Sequence, residues 1–166
     1  MNEKLKHYTK EAVIFIVVMT IFANIISFYK SGDLNKNPLP DLNFTLIDNT
    51  NYNLTSSNEK PILVHFWATW CPTCSLEAAN IETISENFEV ITIAVKSDKD
   101  KIIDYILAND LNFNVVNDSE GLLARKFNIS AYPTTFIYDK HGKLLFCEVG
   151  YTSTFGLWLR IWWAGI

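Results

Sequence analysis

The chain has 166 residues, of which 49% are hydrophobic, 14% aromatic and 19% charged, with a formal net charge of −4. This composition allows one globular domain rather than two and excludes a disordered or collagen-like chain. Phosphate-backbone binding needs clustered Lys and Arg, so the acidic balance argues against a nucleic-acid partner. The 3 cysteines are too few for a disulfide-stapled scaffold, and too few by themselves for a four-cysteine zinc site.

In chain order, residues 1–11 form a flank carrying Lys4, Lys6 and Lys10, and Ala12 to Phe28 is a run of 17 residues without a charge. As a helix the run is about 26 Å long, close to a hydrocarbon core of about 30 Å, with Tyr29 at the headgroups. It has no polar face, against a buried core helix, and no A-x-A-like site precedes Lys36, against a cleaved signal peptide. The expectation is an uncleaved signal anchor over residues 12–29. The weak lysine bias keeps the flank in the cytoplasm and puts the rest on the periplasmic or exterior side of the cytoplasmic membrane. Asn24 inside the span is read as tolerated rather than as a partner-helix contact.

Residues 30–40 read as a flexible linker, with Ser31-Gly32-Asp33, Asn35, Asn37, Pro38 and Pro40 and no apolar period. Its 11 residues would span about 35 Å when extended. Residues 41–166 are long enough to bury one core. Phe44–Ile47 and Tyr52–Leu54 flank Asp48-Asn49-Thr50-Asn51 as a hairpin. Ile62–Trp67 and Val90–Val95 are apolar runs of strand length, as expected of strands buried on both faces. A helix is expected over Ser75–Phe88, with Leu76, Ala79, Ile81, Ile84 and Phe88 near one spacing. A second is expected over Asp98–Leu111, with Ile102, Ile103, Ile106 and Leu107 on one side. Phe113–Val116 is a short strand, Leu122–Phe127 a short helix, and Thr134–Tyr138 and Leu144–Val149 strands joined by a turn. Ser153 or Thr154 caps a last helix from Phe155. This alternation predicts an α/β fold, a mixed central sheet flanked by helices.

The chemistry sits where the first buried strand ends, in Trp67-Ala68-Thr69-Trp70-Cys71-Pro72-Thr73-Cys74. At a helix opening, unpaired N–H groups and the macrodipole favour a thiolate on Cys71, the species that attacks disulfides. Cys74 lies about one turn later, facing inward, and resolves the mixed disulfide. Pro72 suits an early helical position. Trp67 and Trp70 supply flat apolar surface beside the sulfur.

These residues resemble the active site of the thioredoxin superfamily, and Ala131-Tyr132-Pro133-Thr134-Thr135-Phe136 resembles its cis-proline loop. The hairpin and the anchor are similar to membrane-anchored TlpA-like disulfide oxidoreductases, and the Trp-rich tail from Gly150 to members grouped with the suppressor of copper sensitivity D proteins. The resemblance implies a thioredoxin-like fold, Cys71 as nucleophile, Cys74 as resolving thiol and a cis Tyr132–Pro133 bond facing the disulfide. It further implies a substrate groove formed by Trp70, Pro72 and Tyr132, and a proton-relay role for Glu77, three residues after Cys74. The other reading of Glu77 is a solvated helix glutamate. No cofactor beyond the Cys71–Cys74 disulfide is implied. The expected partners are protein thiols and disulfides and a transmembrane thiol carrier of the DsbD type.

Two positions depart from the family pattern. His65 stands six residues before Cys71, where thioredoxins carry a buried aspartate, and is read as a core histidine; Tyr132 stands where Thr, Val or Ile is frequent. Cys147, in the apolar strand Leu144–Val149, is read as a small core hydrophobe. The last helix is read as packing on the sheet, the alternative being contact with the membrane interface. The function expected is a membrane-tethered extracytoplasmic thiol–disulfide oxidoreductase that reduces protein disulfides. The alternatives are a cytochrome c maturation thioredoxin, or a copper- or zinc-binding module using the same cysteines with His65 or Cys147.

Overall fold

In the computed structural model residues 3–55 and 60–166 are described; Met1 and Asn2 of the expected flank lie outside the described residues. Helix α1 runs from Glu3 to Lys30, longer at its start than the expected span. A short 3-10 turn, Ser31–Asp33, follows it. Strands β1 (Leu42–Thr45) and β2 (Asn51–Leu54) form the antiparallel hairpin, with Asp48 bonding the N–H and hydroxyl of Thr50 inside the turn. Then come β3 (Ile62–Trp67), α2 (Pro72–Ser85), β4 (Glu89–Val95), α3 (Lys99–Ala108) and β5 (Asn114–Asp118). Helix α4 (Leu122–Lys126), β6 (Thr134–Tyr138), β7 (Leu144–Val149) and α5 (Thr154–Ala164) complete the chain.

The five-stranded sheet has the order β5-β4-β3-β6-β7, parallel from β5 to β3 and antiparallel from β3 to β7. All six residues of β3 are buried, because helices cover one face and the hairpin, α4 and the segment after α1 cover the other. Side-chain alternation sorts them. Leu63 and Trp67 join Ile81, Ile84, Ile102, Leu157 and Ile161 on the helical side. Ile62, Val64 and Phe66 join Phe127, Phe136 and Leu54 on the opposite side. The polar residues Thr92, His65, Thr135 and Glu148 stand in register across four strands, so they form one row on one face.

Three expectations need correction. Helix α2 begins at Pro72, the early helical position read for it, ahead of the apolar period expected from Ser75, and its buried face is Cys74, Glu77, Ala78, Ile81 and Ile84. Leu76, counted on that face, is 73% exposed; it precedes Glu77 by one residue, about 100° around the helix. On α3 Ile102 is buried, whereas Leu107, five residues on, is 74% exposed.

The third correction concerns residues 30–40, which do not form an extended linker. Leu34 and Leu39 are buried in the core. The Asn35 N–H donates to the Phe127 carbonyl at 3.1 Å and the Leu39 N–H to that of Gly142 at 2.8 Å. Asn35 Nδ2 donates to Lys126 O, and Asn128 Nδ2 to Asp33 O. Two leucines at a spacing of five among polar residues show no period, yet each finds a site on the body.

Candidate active site

The end of β3 carries the chain into a tight turn that presents the cysteine pair. The Cys71 N–H donates to Ala68 O at 3.1 Å, and Cys71 takes an extended conformation as the N-cap of α2. Its Sγ accepts the N–H of Cys74 at 3.2 Å, and Pro72 opens the helix, where no N–H is needed. The helix N-terminus therefore points its free donors at the sulfur of Cys71, the arrangement that stabilises a thiolate. Cys71 and Cys74 are joined as a disulfide with Cα atoms 5.3 Å apart. Cys71 is 6% exposed and Cys74 2%.

The turn is held from β4. Thr69 directs its N–H and its hydroxyl to Ser97 Oγ at 3.2 Å each, and Trp70 Nε1 donates to Lys96 O at 3.2 Å. Trp70 stays 57% exposed, and Tyr132 meets it edge to face, with centroids 5.6 Å apart and planes at 89°. The Tyr132–Pro133 bond is cis, Pro133 is buried, and its carbonyl accepts the Gly150 N–H at 2.9 Å. Tyr132 also packs against the core cluster that contains both cysteines. Pro72 is exposed beside them. Trp70, Pro72, Tyr132 and the cysteines thus share one end of the sheet. A cavity of about 500 Å³ adjoins Trp70, lined by Thr69, Ser97, Lys101 and Asp104 among others.

Glu77 is wholly buried rather than solvated. Its Oε1 accepts the Thr152 N–H at 3.0 Å and its Oε2 has no partner. Burial pushes its carboxyl up to about 8, with the negative charge of Glu148 adding to the shift against the Thr152 hydrogen bond. A buried carboxyl without a full set of donors holds its proton. His65 is also buried; its Nδ1 lies 2.9 Å from Thr135 Oγ1, and burial brings its pKa down to about 3, so it is neutral.

Cys147 sits on β7 opposite Phe136, half-buried, with its thiol pushed up to about 12, chiefly by burial. Neither Cys147 nor His65 is drawn to the cysteine pair: His65 is bonded in mid-sheet and Cys147 lies toward the β7 edge. Among the described residues there is no group of three or more His, Cys, Asp or Glu arranged to hold a metal ion. Ser97, Lys96 and Thr152, which hold the turn and Glu77, carry no sequence signal, because each works through a contact 26 to 75 residues away in the chain.

A capped thiol and a second thiol one turn inside can pass two electrons to another disulfide, and regain them from another dithiol, through their own sulfurs. With this sheet and this proline loop, the molecule is a thioredoxin-like thiol–disulfide oxidoreductase. Residues 36–146 match the AhpC/TSA family, and the chain belongs to that family. It is 29% identical over 168 residues to a thioredoxin-like protein of Haemophilus influenzae, covering 97% of both chains. It is 30% identical over 112 residues to sporulation thiol-disulfide oxidoreductase A of Bacillus subtilis, covering 63% of this chain and 67% of that one. Among solved structures, a secreted disulfide oxidoreductase of Mycobacterium tuberculosis, homologous to Escherichia coli DsbE, superposes with a TM-score of 0.65 at 25% identity, covering 73% of this chain and 94% of that one. A thioredoxin-family thiol:disulfide interchange protein of Chlorobium tepidum superposes with a TM-score of 0.70 at 24% identity, covering 80% and 99%.

Proposed function

We propose that the chain is a membrane-tethered reductant of protein disulfides working outside the cytoplasm. Helix α1 from His7 and the 3-10 turn after it form a 27-residue stretch, His7–Asp33, long and apolar enough to cross a membrane. On this reading it spans the cytoplasmic membrane once, with the body on the periplasmic or exterior side. Dithiols in such a compartment are oxidised unless electrons reach them across the membrane. The electron source is then a transmembrane thiol carrier of the DsbD type.

The reaction is a pair of exchanges. The Cys71 thiolate attacks one sulfur of a substrate disulfide seated along Trp70, Pro72, Tyr132 and Pro133; the substrate S–S bond breaks and one substrate thiolate leaves. Cys74 then loses its proton and attacks Cys71 Sγ, which forms the Cys71–Cys74 disulfide and frees the second substrate thiolate. Two electrons have passed to the substrate. In the fraction of molecules whose Glu77 is ionised, its carboxylate accepts the Cys74 proton, and the acid so formed returns it when the carrier's dithiol reopens the disulfide; a carboxyl near 8 populates both forms around neutral pH.

The buried carboxyl of Glu77, one turn beyond Cys74, is the observation that carries this direction. An oxidant of this kind owes its potential to a stabilised thiolate in the reduced form. A carboxyl that becomes an anion nearby opposes thiolate formation, so it favours electron donation. The test is maleimide trapping of thiols in intact cells. Cys71 and Cys74 should be mainly reduced when the carrier is present and oxidised when it is removed. A fully oxidised pair in wild-type cells would replace the reductant reading with an oxidase or isomerase role.

A further inference from the structure

Helix α5 has two apolar faces, and the body covers only one. Leu157, Ile161 and Ala164 are buried in the core. Phe155, Trp158, Leu159, Trp162, Trp163 and Ile166 repeat at the spacing of a single helical stripe and remain 43% to 79% exposed. Trp158 and Trp162 stack on each other at 6.1 Å within this stripe. Six large apolar side chains in one row form a surface that soluble proteins rarely leave in water.

The neighbour of this helix says what covers it. Arg160, between the two faces, pairs through Nε with Glu148 Oε1 at 2.9 Å and reaches Asn24 Oδ1 of α1 at 3.4 Å. Glu148 Oε2 accepts the Ser27 hydroxyl of α1 at 3.1 Å, and Ser27 Oγ accepts the Val149 N–H at 2.9 Å. Helix α5 is therefore fastened to α1 at Asn24, six residues before its end at Lys30. At 1.5 Å per residue that is about 9 Å, the depth at which acyl chains give way to headgroups. A cavity of about 520 Å³ opens at the same level between α1 and β7, lined by Ile21, Ile25 and Cys147 with Asn24 and Glu148. Trp is the residue type that settles at this boundary, with its ring in the apolar side and its N–H in the wet side.

We infer that the exposed face of α5 is a lipid-binding surface that lies in the outer boundary of the same bilayer that α1 crosses. The inference rests on the tether reading given above. With α1, it fixes the body to the membrane along two elements instead of one, and Arg160 offers its free guanidinium hydrogens to lipid phosphates at the rim.

The test uses the full chain reconstituted into phosphatidylcholine nanodiscs, with and without brominated acyl chains, and reads tryptophan emission. Three of the five tryptophans lie on the α5 stripe. Bromine at the acyl chains should quench wild-type emission by about a third or more. The Trp158→Phe/Trp162→Phe/Trp163→Phe variant, with an unchanged circular dichroism spectrum and thiol-exchange rate, should show almost no bromine quenching from Trp67 and Trp70. Equal quenching in both proteins, or none, with the chain incorporated overturns the inference, as does emission lost only on crosslinking to a second copy. Failure of the wild-type chain to enter nanodiscs at all overturns the tether reading itself and the surface with it.

Discussion

Thr152 holds Glu77 by a single oxygen: its backbone N–H lies 3.0 Å from Oε1, while Oε2 is buried without a partner. The half-satisfied carboxyl costs the fold stability whenever it ionises. Its folded pKa, about 8, is above the ordinary value of 4.5, so the native state binds the extra proton between these limits. The protonated group is therefore at full benefit below about pH 4.5, and stability is lost as pH rises toward 8. Denaturant unfolding of wild type should show this fall, and Glu77→Gln, which keeps the shape and the Thr152 bond without a titration, should flatten it. A wild-type curve as flat as the variant's between those pH values would show that Glu77 is not held protonated.

Glu148 and Arg160 should tune the same carboxyl in opposite directions. Glu148→Gln removes a negative charge that raises Glu77, so the Glu77 midpoint should fall. Arg160→Met removes the partner of Glu148 and should move it up. Infrared titration of the protonated carboxyl band reads both shifts. Movement in the same direction would break the proposed electrostatic link.

Cysteine assignment is checked by trapping. Cys74→Ala leaves Cys71 at the helix opening with nothing to resolve its mixed disulfides, so covalent complexes with substrate proteins should accumulate. Cys71→Ala should accumulate few or none, because Cys74 is 2% exposed and lies a turn inside. Equal trapping on non-reducing gels would reverse or erase the distinction.

Tyr132→Ala removes the edge-to-face contact with Trp70, an interaction worth about 1 kcal/mol beyond area burial. Reduction of protein disulfides should show a KM raised several-fold, while reaction with a small dithiol stays close to wild type. A loss shared by both substrates would mean that Tyr132 supports the cysteines and not the substrate.

Phe66→Ala deletes a wholly buried ring that contacts Phe127 and Phe136. Unfolding free energy should drop by about 3–5 kcal/mol. A change below 1 kcal/mol would mean that this side of the sheet repacks without it.

The parts legible in the sequence are those in which chemistry is local. The strands Ile62–Trp67, Thr134–Tyr138 and Leu144–Val149 have the expected boundaries; the first two are buried along their whole length, and β7 is an edge strand with only Val149 buried. Cys71 and Cys74 stand out by spacing alone, and α2 starts earlier than its apolar period because Cys71 and Pro72, neither a period marker, set the cap. The burial of Glu77 is not legible in the same way. Its solvated and buried readings share one sequence, and what decides between them is the backbone of Thr152, 75 residues on. The hold on residues 31–39 is likewise made by Phe127, Gly142 and Lys126, far along the chain. The Ser27 hydroxyl, within the apolar run, accepts the Val149 N–H of β7, a contact that no local pattern in the run signals.

Leu34 and Leu39 are seated in the body and Asn35 is bonded to α4, so on the tether reading proposed above the reactive disulfide would not swing on a leash from the bilayer. Its distance from the membrane would be set by the thickness of a folded domain. Lateral drift of the whole molecule would then become its way of meeting partners, a search in two dimensions at nearly constant altitude. Substrate proteins would be sorted by geometry as well as by chemistry: those whose disulfides reach that altitude would react, and others with equally reactive disulfides would pass overhead. Lengthening the chain between Lys30 and Asp41 should leave exchange with a soluble dithiol unchanged and widen the set of proteins reduced in cells.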